Sequence, residues 1–296
     1  MPLSAFPSAG FVLSCDPVNP TDASASKPAI AIIPARYLST RLPGKPLLEI
    51  AGRPMILHVA ERAQSATNVA RVIVATDDQR IFDVVRQAGF EARLTRADHR
   101  SGSDRLAEVA AELADEFQLI VNVQGDEPFI SPRVIEQAVN ALLNDPQAAV
   151  ATTCELIDNA ADALNPDLVK VVTNEQGRAL YFSRSPVPYP RDAARRHGSL
   201  AAALKHEPEL LTSFRKHTGL YVYRRHFLLD YACWPQSKLE RAEALEQLRI
   251  LERGHQIRVV EVAESSLGID TPEDLEWARK IFGEVRGSSP ANLTGL

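Results

Sequence analysis

Short apolar runs, each followed by a helical pattern, are the feature that most constrains the fold of this 296-residue chain. AIAIIP at 29–34, RVIVAT at 71–76 and LIVNV at 119–123 lack the alternation of a strand with one solvated face. Such runs are typical of strands that are buried on both faces of a parallel sheet. Because helical patterns separate them, we predict an α/β fold with a mostly parallel central sheet and helices on both faces.

The remaining elements are predicted from the same periodicities. Helices are predicted at 54–64, 78–88, 104–116, 131–144, 239–253 and 272–282, and further strands at 91–95, 169–173, 179–183, 217–223 and 256–261. Residues 186–211 hold four prolines and are predicted to be an excursion from the core. The domain boundaries predicted are a disordered extension at 1–28, one folded domain at 29–283 and a flexible tail at 284–296.

Composition excludes several classes of protein. The formal net charge is −5, whereas a general nucleic-acid binder normally carries a basic face. No stretch is long and apolar enough to span a membrane, and the start lacks the features of a signal peptide. Cys15, Cys154 and Cys233 fit neither a zinc site nor a disulfide framework, which favours reduced thiols in the cytoplasm. We therefore expect neither nucleic acid nor a membrane as partner.

A basic loop follows the first predicted strand. Its residues are ARYLSTRLPGKPL at 35–47, with Arg36, Arg41 and Lys45 interleaved with small polar residues and Gly44. Ligands of open α/β sheets bind beyond the carboxyl ends of the strands. Cations and backbone N–H groups at that place suit a triphosphate, although the loop is neither a Walker A loop nor GxGxxG. The alternative is an ordinary basic surface loop.

Two acidic segments are candidates for a metal site. Asp126 and Glu127 follow the strand at 119–123, and Asp270 precedes the predicted closing helix. A carboxylate at these places could hold Mg²⁺, which binds through one or two carboxylates and phosphate oxygens. The alternatives are a turn-forming Gly-Asp pair and a helix cap in which Thr271 and Asp274 form the box.

Eight segments together carry a resemblance to a known family. They are IPARYLSTRLPGKPL, VATDD, TRADHRSGSDRLAEV, VNVQGDEP, ALYFSRSPVP, KHTGLYVYR, ALEQLR and GIDTPEDL, in this order. From about residue 29 to 282 the chain resembles the 3-deoxy-manno-octulosonate cytidylyltransferase (CMP-Kdo synthetase) family. The resemblance implies a Rossmann-like nucleotidyltransferase fold and a homodimer built partly from the excursion in the second half. It also implies a Mg²⁺-dependent reaction of CTP with Kdo, giving CMP-Kdo and pyrophosphate for lipopolysaccharide biosynthesis.

The resemblance also implies roles for individual residues. Those expected to bind the nucleotide are Ala35, Arg36, Ser39, Arg41, Lys45, Thr76, Asp77, Ser101, Gly102, Arg105 and Gln124. Those expected to contact the sugar acid are Arg184, His217, Tyr221, Glu246 and Gln247. Asp126 and Asp270 are expected to share one Mg²⁺ and, with Arg41 and Lys45, to be catalytic. For the sugar side the alternatives are a core tyrosine, the solvated face of a helix and a structural histidine.

Three other functions remain open from the sequence. One is a cytidylyltransferase for a different acidic sugar, such as sialic acid or an amino variant of Kdo. Another is a sugar-nucleotide-dependent glycosyltransferase, although such enzymes commonly use a DxD motif and this chain has GDEP at 125–128. A third is a catalytically silent nucleotide sensor, which would have little need for two separated carboxylates beside a cationic loop.

Overall fold

The fold is built around one mixed sheet. The computed structural model describes residues 28–38, 41–113, 117–264 and 268–287. The strands are β1 (Ala29–Ala35), β2 (Glu49–Ile50), β3 (Arg53–Pro54), β4 (Val69–Thr76), β5 (Glu91–Leu94), β6 (Leu119–Asn122), β7 (Ala148–Leu156), β8 (Lys170–Thr173), β9 (Ala179–Ser183), β10 (Arg215–Arg224) and β11 (Gln256–Glu261). The helices are α1 (Met55–Gln64), α2 (Gln79–Gln87), α3 (Gly102–Ala111), α4 (Pro132–Leu143), α5 (Ala160–Leu164), α6 (Arg191–His197), α7 (Leu200–His206), α8 (Arg225–Ala232), α9 (Lys238–Glu243), α10 (Leu248–Glu252) and α11 (Pro272–Gly287).

The order of the central strands is β11-β7-β10-β6-β1-β4-β5. β1 pairs in parallel with β4 and β6, β4 with β5, and β7 with β11. β10 is antiparallel to both of its neighbours, and the β8–β9 hairpin attaches to it. The predicted α/β class with a mostly parallel sheet is therefore confirmed, with one antiparallel strand inside it.

Alternate residues of β1 explain why its sequence is apolar throughout. Ala29, Ala31 and Ile33 pack with α1, α2 and α4 on one face of the sheet. Ile30 and Ile32 pack with α3 and α8 on the other face. Both faces are therefore excluded from water, as the unbroken apolar run predicts. This arrangement leaves the carboxyl edge of the sheet as the place where polar loops gather.

The predicted helix at 239–253 is wrong. The structure has two short helices, α9 and α10, and between them Ala244 adopts the left-handed conformation with φ 52°. A non-glycine residue with positive φ costs about 1 kcal/mol or more, and such residues cluster at functional sites. The apolar periodicity is real, but the break at Ala244 turns the next residues toward the cleft described below.

The predicted excursion at 186–211 is only partly correct. This segment leaves the main sheet, but it folds into α6 and α7 and has a small core of its own. In that core Leu200 and Leu204 pack with Ala163 and Phe214. β7 and α8 are elements that the sequence analysis did not predict. α11 extends to Gly287, five residues past the predicted helix end at 282 and four residues into the predicted flexible tail at 284–296. The rest of that tail, 288–296, and residues 1–27 of the predicted disordered extension lie outside the described residues.

Candidate active site

Three parallel strands bring their carboxyl ends to one edge of the sheet. β1, β4 and β6 end at Ala35, Thr76 and Asn122, and the chain crosses from one side of β1 to the other to form β6. Ligands of open α/β sheets bind in the crevice at such a switch point. The loop after β6 approaches β1 closely here because residue 125 is glycine: a Cβ on Gly125 would lie only 2.9 Å from the Pro34 carbonyl oxygen. The predicted location of the site follows from this topology.

Local backbone geometry places Lys45 at the mouth of this crevice. Gly44 has φ 70°, a conformation that favours glycine, and its N–H donates to the Tyr37 carbonyl at 2.9 Å. The Tyr37 ring packs against Gly44, and the Arg80 guanidinium lies 3.4 Å from the ring centroid. These contacts close the basic loop at its base. Lys45 then starts a 3₁₀ helix with its side chain directed across the crevice.

Lys45 connects the two predicted metal-binding carboxylates. Its Nζ lies 2.7 Å from Asp126 Oδ2 and 2.9 Å from Asp270 Oδ1, and its side chain is only 12% exposed. Burial alone would lower the pKa of Lys45, but the charges and hydrogen bonds of Asp126 and Asp270 outweigh it and raise the pKa. The structure thus brings together two acidic residues that are distant in sequence, on a single cationic atom.

The Asp270 backbone is fixed at both ends. Ile269 N–H donates to the Asp126 carbonyl at 2.9 Å, which ties the two acidic segments together. Asp274 Oδ2 accepts from the N–H groups of Asp270 and Thr271 at 3.0 and 2.8 Å, and Thr271 Oγ1 accepts from Asp274 N–H at 3.1 Å. Desolvation would raise the pKa of Asp274, but these N–H donors lower it. The predicted capping box exists, and it also positions Asp270.

A cavity of about 340 Å³ surrounds this cluster. Arg41 lies beside Asp270, with its Nη2 3.3 Å from Oδ1, and its side chain is 64% exposed. Arg36 is exposed, and its guanidinium donates to the His99 carbonyl at 2.8 Å. Ala35 and Gln124 line the same cavity, whereas Ser39 lies outside the described residues. The loop thus supplies three cations beside two carboxylates, a charge pattern suited to phosphate and a divalent cation.

Part of the predicted nucleotide set lies beneath the cleft. Arg105 is fully buried, with its guanidinium bonded to Asp77 Oδ2 at 2.7 Å and to the Thr95 hydroxyl. Thr76 is fully buried, and its hydroxyl accepts from Asp78 N–H. Ligand contact by Arg105 or Thr76 would require these groups to move. Their geometry supports the loops that follow β4 and β5.

A second cavity, of about 250 Å³, adjoins the first and shares Gln124 with it. Gln124 Nε2 donates to the Gly219 carbonyl at 3.1 Å. Gly102 lines this cavity, and Ser101 caps α3 by accepting from Asp104 N–H. The two cavities form one cleft, with the basic loop and two aspartates at one end and mostly uncharged polar side chains, together with Glu246, at the other.

The break at Ala244 directs two predicted sugar-binding residues into this second cavity. Glu246 and Gln247 line it together with Tyr221. Ser103 Oγ donates to Glu246 Oε2 at 3.0 Å, and burial raises the pKa of Glu246. Neither residue therefore lies on the solvated face of a helix. Burial also raises the pKa of Tyr221 well above its usual value, so its hydroxyl stays protonated.

Two further predicted sugar contacts are held by other partners. His217 packs against Phe182 and Tyr221, and its Nε2 lies 3.0 Å from Thr152 Oγ1. Burial lowers the pKa of His217 to about 3, so the imidazole is neutral near pH 7. Arg184 donates to the carbonyls of Glu243 and Pro166, at 2.7 and 3.1 Å. A contact between Arg184 and a sugar acid stays a prediction.

The donor set around Lys45 fits Mg²⁺. Among the described residues no group of three or more His, Cys, Asp or Glu side chains is placed to hold a metal ion. Two carboxylates that converge on one cation are nevertheless the protein contribution expected when phosphate oxygens and waters supply the other ligands. Asp126 and Asp270 could hold such an ion if the ammonium of Lys45 moved aside.

Sequence reasoning missed several residues of the second cavity. Ser103, Asn122 and Tyr223 line it but were not predicted to be functional. For Asn122 a signal was present, since LIVN at 119–122 places one polar residue in an otherwise apolar buried strand.

Within the described residues, no helix is both long and apolar enough to cross a membrane.

The chain is similar to known cytidylyltransferases over most of its length. Residues 30–257 match the family model described as Cytidylyltransferase. The 3-deoxy-manno-octulosonate cytidylyltransferase of Syntrophotalea carbinolica is 53% identical over 257 residues, which cover 87% of this chain and 98% of the relative. The enzyme of the same name from Trichlorobacter lovleyi is 53% identical over 251 residues, covering 85% of this chain and 97% of the relative. A solved structure of CMP:2-keto-3-deoxy-manno-octonic acid synthetase complexed with CTP has a TM-score of 0.77 and 47% identity, covering 86% of this chain and 98% of that one.

Proposed function

The chain belongs to the cytidylyltransferase family, and we propose that it transfers CMP from CTP to 3-deoxy-manno-octulosonate, releasing pyrophosphate. The observation that carries this proposal is the convergence of Asp126 and Asp270 on Lys45, at the end of a cleft that continues into a second polar cavity. A triphosphate and a sugar acid are the two ligands that such a cleft would accommodate side by side. The relatives named for this reaction support the choice of both substrates.

The basic loop is proposed to bind the triphosphate. Arg41 and Arg36 are exposed at the mouth of the first cavity and can turn toward phosphate oxygens. Lys45 is nearer the centre and can move from the carboxylates to a phosphate without leaving the cavity that it lines. Fixed cations at the leaving group lower the barrier because negative charge grows on pyrophosphate as it departs.

Asp126 and Asp270 are proposed to hold Mg²⁺. The ion, when bound, supplies charge neutralisation at the phosphates and Lewis acidity. The two carboxylates are held in place relative to each other because the hydrogen bond from Ile269 N–H to the Asp126 carbonyl ties their backbone segments together. Their separation in sequence does not loosen the site, because this bond and the Asp274 box hold both segments together.

The reaction itself requires positioning more than covalent chemistry. The anomeric hydroxyl oxygen of the sugar forms a bond to the α-phosphorus of CTP, and the bond from that phosphorus to the pyrophosphate oxygen breaks in line. The hydroxyl proton leaves to water. Glu246 and Gln247 can hold the sugar so that its hydroxyl points toward Gln124 and the first cavity. Such alignment converts a bimolecular step into an effectively unimolecular one.

Pyrophosphate release measured with CTP and a panel of sugar acids tests the proposal. We expect turnover with CTP and Kdo that exceeds turnover with UTP or ATP, and with sialic acid, by at least about tenfold. Preference for sialic acid or an amino variant of Kdo would assign a different sugar. Transfer from a sugar nucleotide, or binding of CTP without release, would favour the glycosyltransferase or the sensor.

A homodimer, a cytoplasmic location and a role in lipopolysaccharide biosynthesis belong to the same proposal. Leu180 on β9 and Tyr189 before α6 are 61% and 58% exposed in the single chain, which supports an interface in this second-half region. Within the described residues the thiols of Cys154 and Cys233 form no disulfide, which is compatible with a reducing compartment. Sedimentation of the wild-type protein, compared with a Leu180→Glu variant, tests the interface.

A further inference from the structure

Asn122 is a polar residue in a position where the fold otherwise requires an apolar one. It ends β6, a strand between β1 and β10 at the centre of the sheet, and is only 4% exposed. The three residues before it, Leu119, Ile120 and Val121, are buried in the apolar core. Side chains two residues apart share a face of the sheet, so Asn122 faces the same side as Ile120. A side chain of this polarity needs a hydrogen-bond partner there.

The described part of the protein does not supply that partner to one of its atoms. The side-chain oxygen Oδ1 of Asn122 is inaccessible to solvent and has no hydrogen-bond partner among the described residues. Leaving a buried acceptor unpaired destabilises the folded state. Most buried polar groups in native proteins are paired, so an exception indicates a function or a ligand.

The position of Asn122 indicates what that ligand is. Asn122 lines the second cavity together with Tyr221, Glu246 and Gln247, and the hydroxyl of Ser103 is already committed to Glu246. The carboxamide oxygen of Asn122 and the carboxylate of Glu246, which lines the same cavity, are both acceptors and match the O–H donors of a polyhydroxylated ligand. They would repel a carboxylate, so the acid group of a sugar acid must lie elsewhere in the cleft.

We propose that Asn122 is a specificity-determining residue whose carboxamide rotates toward the second cavity when the sugar acid binds, so that its side-chain oxygen, inaccessible in the free protein, accepts a hydrogen bond from a sugar hydroxyl. This inference rests on the proposed function and extends its sugar-binding set by one residue. Sugar binding satisfies an acceptor that the free protein leaves unpaired, so an analogue that lacks the matching hydroxyl is rejected. The unpaired oxygen destabilises the free protein, and the same oxygen discriminates between sugars because only a sugar with the matching hydroxyl pairs with it.

A sugar-binding role and a purely structural role for Asn122 make opposite predictions for the Asn122→Leu variant. Leucine has a similar size and removes the unpaired oxygen, so we expect the melting temperature to stay the same or rise. The KM for Kdo should rise about tenfold or more, with the KM for CTP within about twofold of wild type. A purely structural asparagine would give the reverse, a lower melting temperature and unchanged KM values.

A matched control and a second variant complete the experiment. Asn68 also has a buried side-chain oxygen without a partner among the described residues, but it precedes β4, at the opposite edge of the sheet. Asn68→Leu should leave the KM for Kdo unchanged. Asn122→Ala should also raise that KM, and it serves as the readout if leucine overpacks the site. Loss of cooperative unfolding in both Asn122 variants would establish a structural role and overturn the inference.

The outcomes separate this inference from the proposed function. If the wild-type protein releases no pyrophosphate from CTP and Kdo, the proposed function fails. If the wild type turns over and the Asn122 variants have its KM for Kdo, only the inference fails. An equal rise in the KM for CTP would also overturn it, because Asn122 would then contact the nucleotide.

Discussion

Replacement of Lys45 by methionine should have opposite effects on metal binding and on catalysis. Lys45 Nζ lies between Asp126 Oδ2 and Asp270 Oδ1, at 2.7 and 2.9 Å. A divalent cation needs the same two oxygens, so the ammonium competes with it in the nucleotide-free protein. Methionine keeps the aliphatic stem and removes the charge. We therefore expect Lys45→Met to bind Mn²⁺ more tightly than wild type when no nucleotide is present.

The size of the effect follows from the exposure of the three groups. The Lys45 side chain is 12% exposed, whereas Asp126 and Asp270 are 32% and 45% exposed, so solvent screens the pairs in part. An exposed ion pair stabilises by less than about 1 kcal/mol, and a buried, hydrogen-bonded one by more. The partly buried interaction of Lys45 with the two aspartates is therefore worth about 1–2 kcal/mol. Removing that competition should tighten Mn²⁺ binding about 5- to 30-fold. The variant should lose about 10²-fold in kcat/KM, because charge on the leaving pyrophosphate is no longer offset.

Electron paramagnetic resonance of free Mn²⁺ measures the first effect, and pyrophosphate release measures the second. Lys216→Met is the matched control, because Lys216 Nζ lies 2.9 Å from Glu155 Oε2 outside the cleft. It should change neither quantity. Weaker Mn²⁺ binding in Lys45→Met would refute the competition, and wild-type kinetics would reduce the segment to an ordinary basic surface loop.

Three further predictions concern the site. Asp126→Asn and Asp270→Asn should each lose most turnover, and the double variant should be scarcely worse, since residues that serve one ion act as a unit; additive losses would contradict this. Asp274→Ala should weaken Mn²⁺ binding by releasing the Asp270 backbone, whereas Thr271→Val, which breaks the same cap, should only lower the melting temperature; equal Mn²⁺ affinities would refute the positioning role. His217 is neutral when folded, with its pKa lowered to about 3 from 6.5, so the free energy of unfolding should fall as the pH drops from about 6.5 toward 3. His217→Gln should flatten that fall in urea titrations at several pH values, and an unchanged slope would contradict the assignment.

The parts of the fold that were predicted correctly are those whose local sequence pattern indicates how they are buried. β1, β4 and β6 are apolar on both faces because helices cover both faces, so their burial could be inferred directly. β7 was missed because AAVATTCEL mixes apolar residues with threonines and a glutamate. The antiparallel direction of β10 depends on which strands lie beside it, and local sequence does not encode this.

In the site, too, features with a local sequence signal were predicted and features that depend on tertiary packing were not. The basic loop and the two acidic segments were identified because Gly44, Gly125 and the cap after Asp270 leave local signals. The burial of Arg105 in its ion pair with Asp77 could not be anticipated, because it depends on packing between α3 and the loop after β4. The break at Ala244 ran against the helical periodicity, and it is the feature that brings Glu246 and Gln247 into the cleft.

Mass spectrometry of the products formed from CTP and Kdo tests the central claim most directly. We expect one molecule of CMP-linked Kdo for each molecule of pyrophosphate, and no orthophosphate or CDP, because attack at the α-phosphorus releases the two terminal phosphates together. Formation of a CDP-linked sugar, or of CMP without a sugar adduct, would contradict the account.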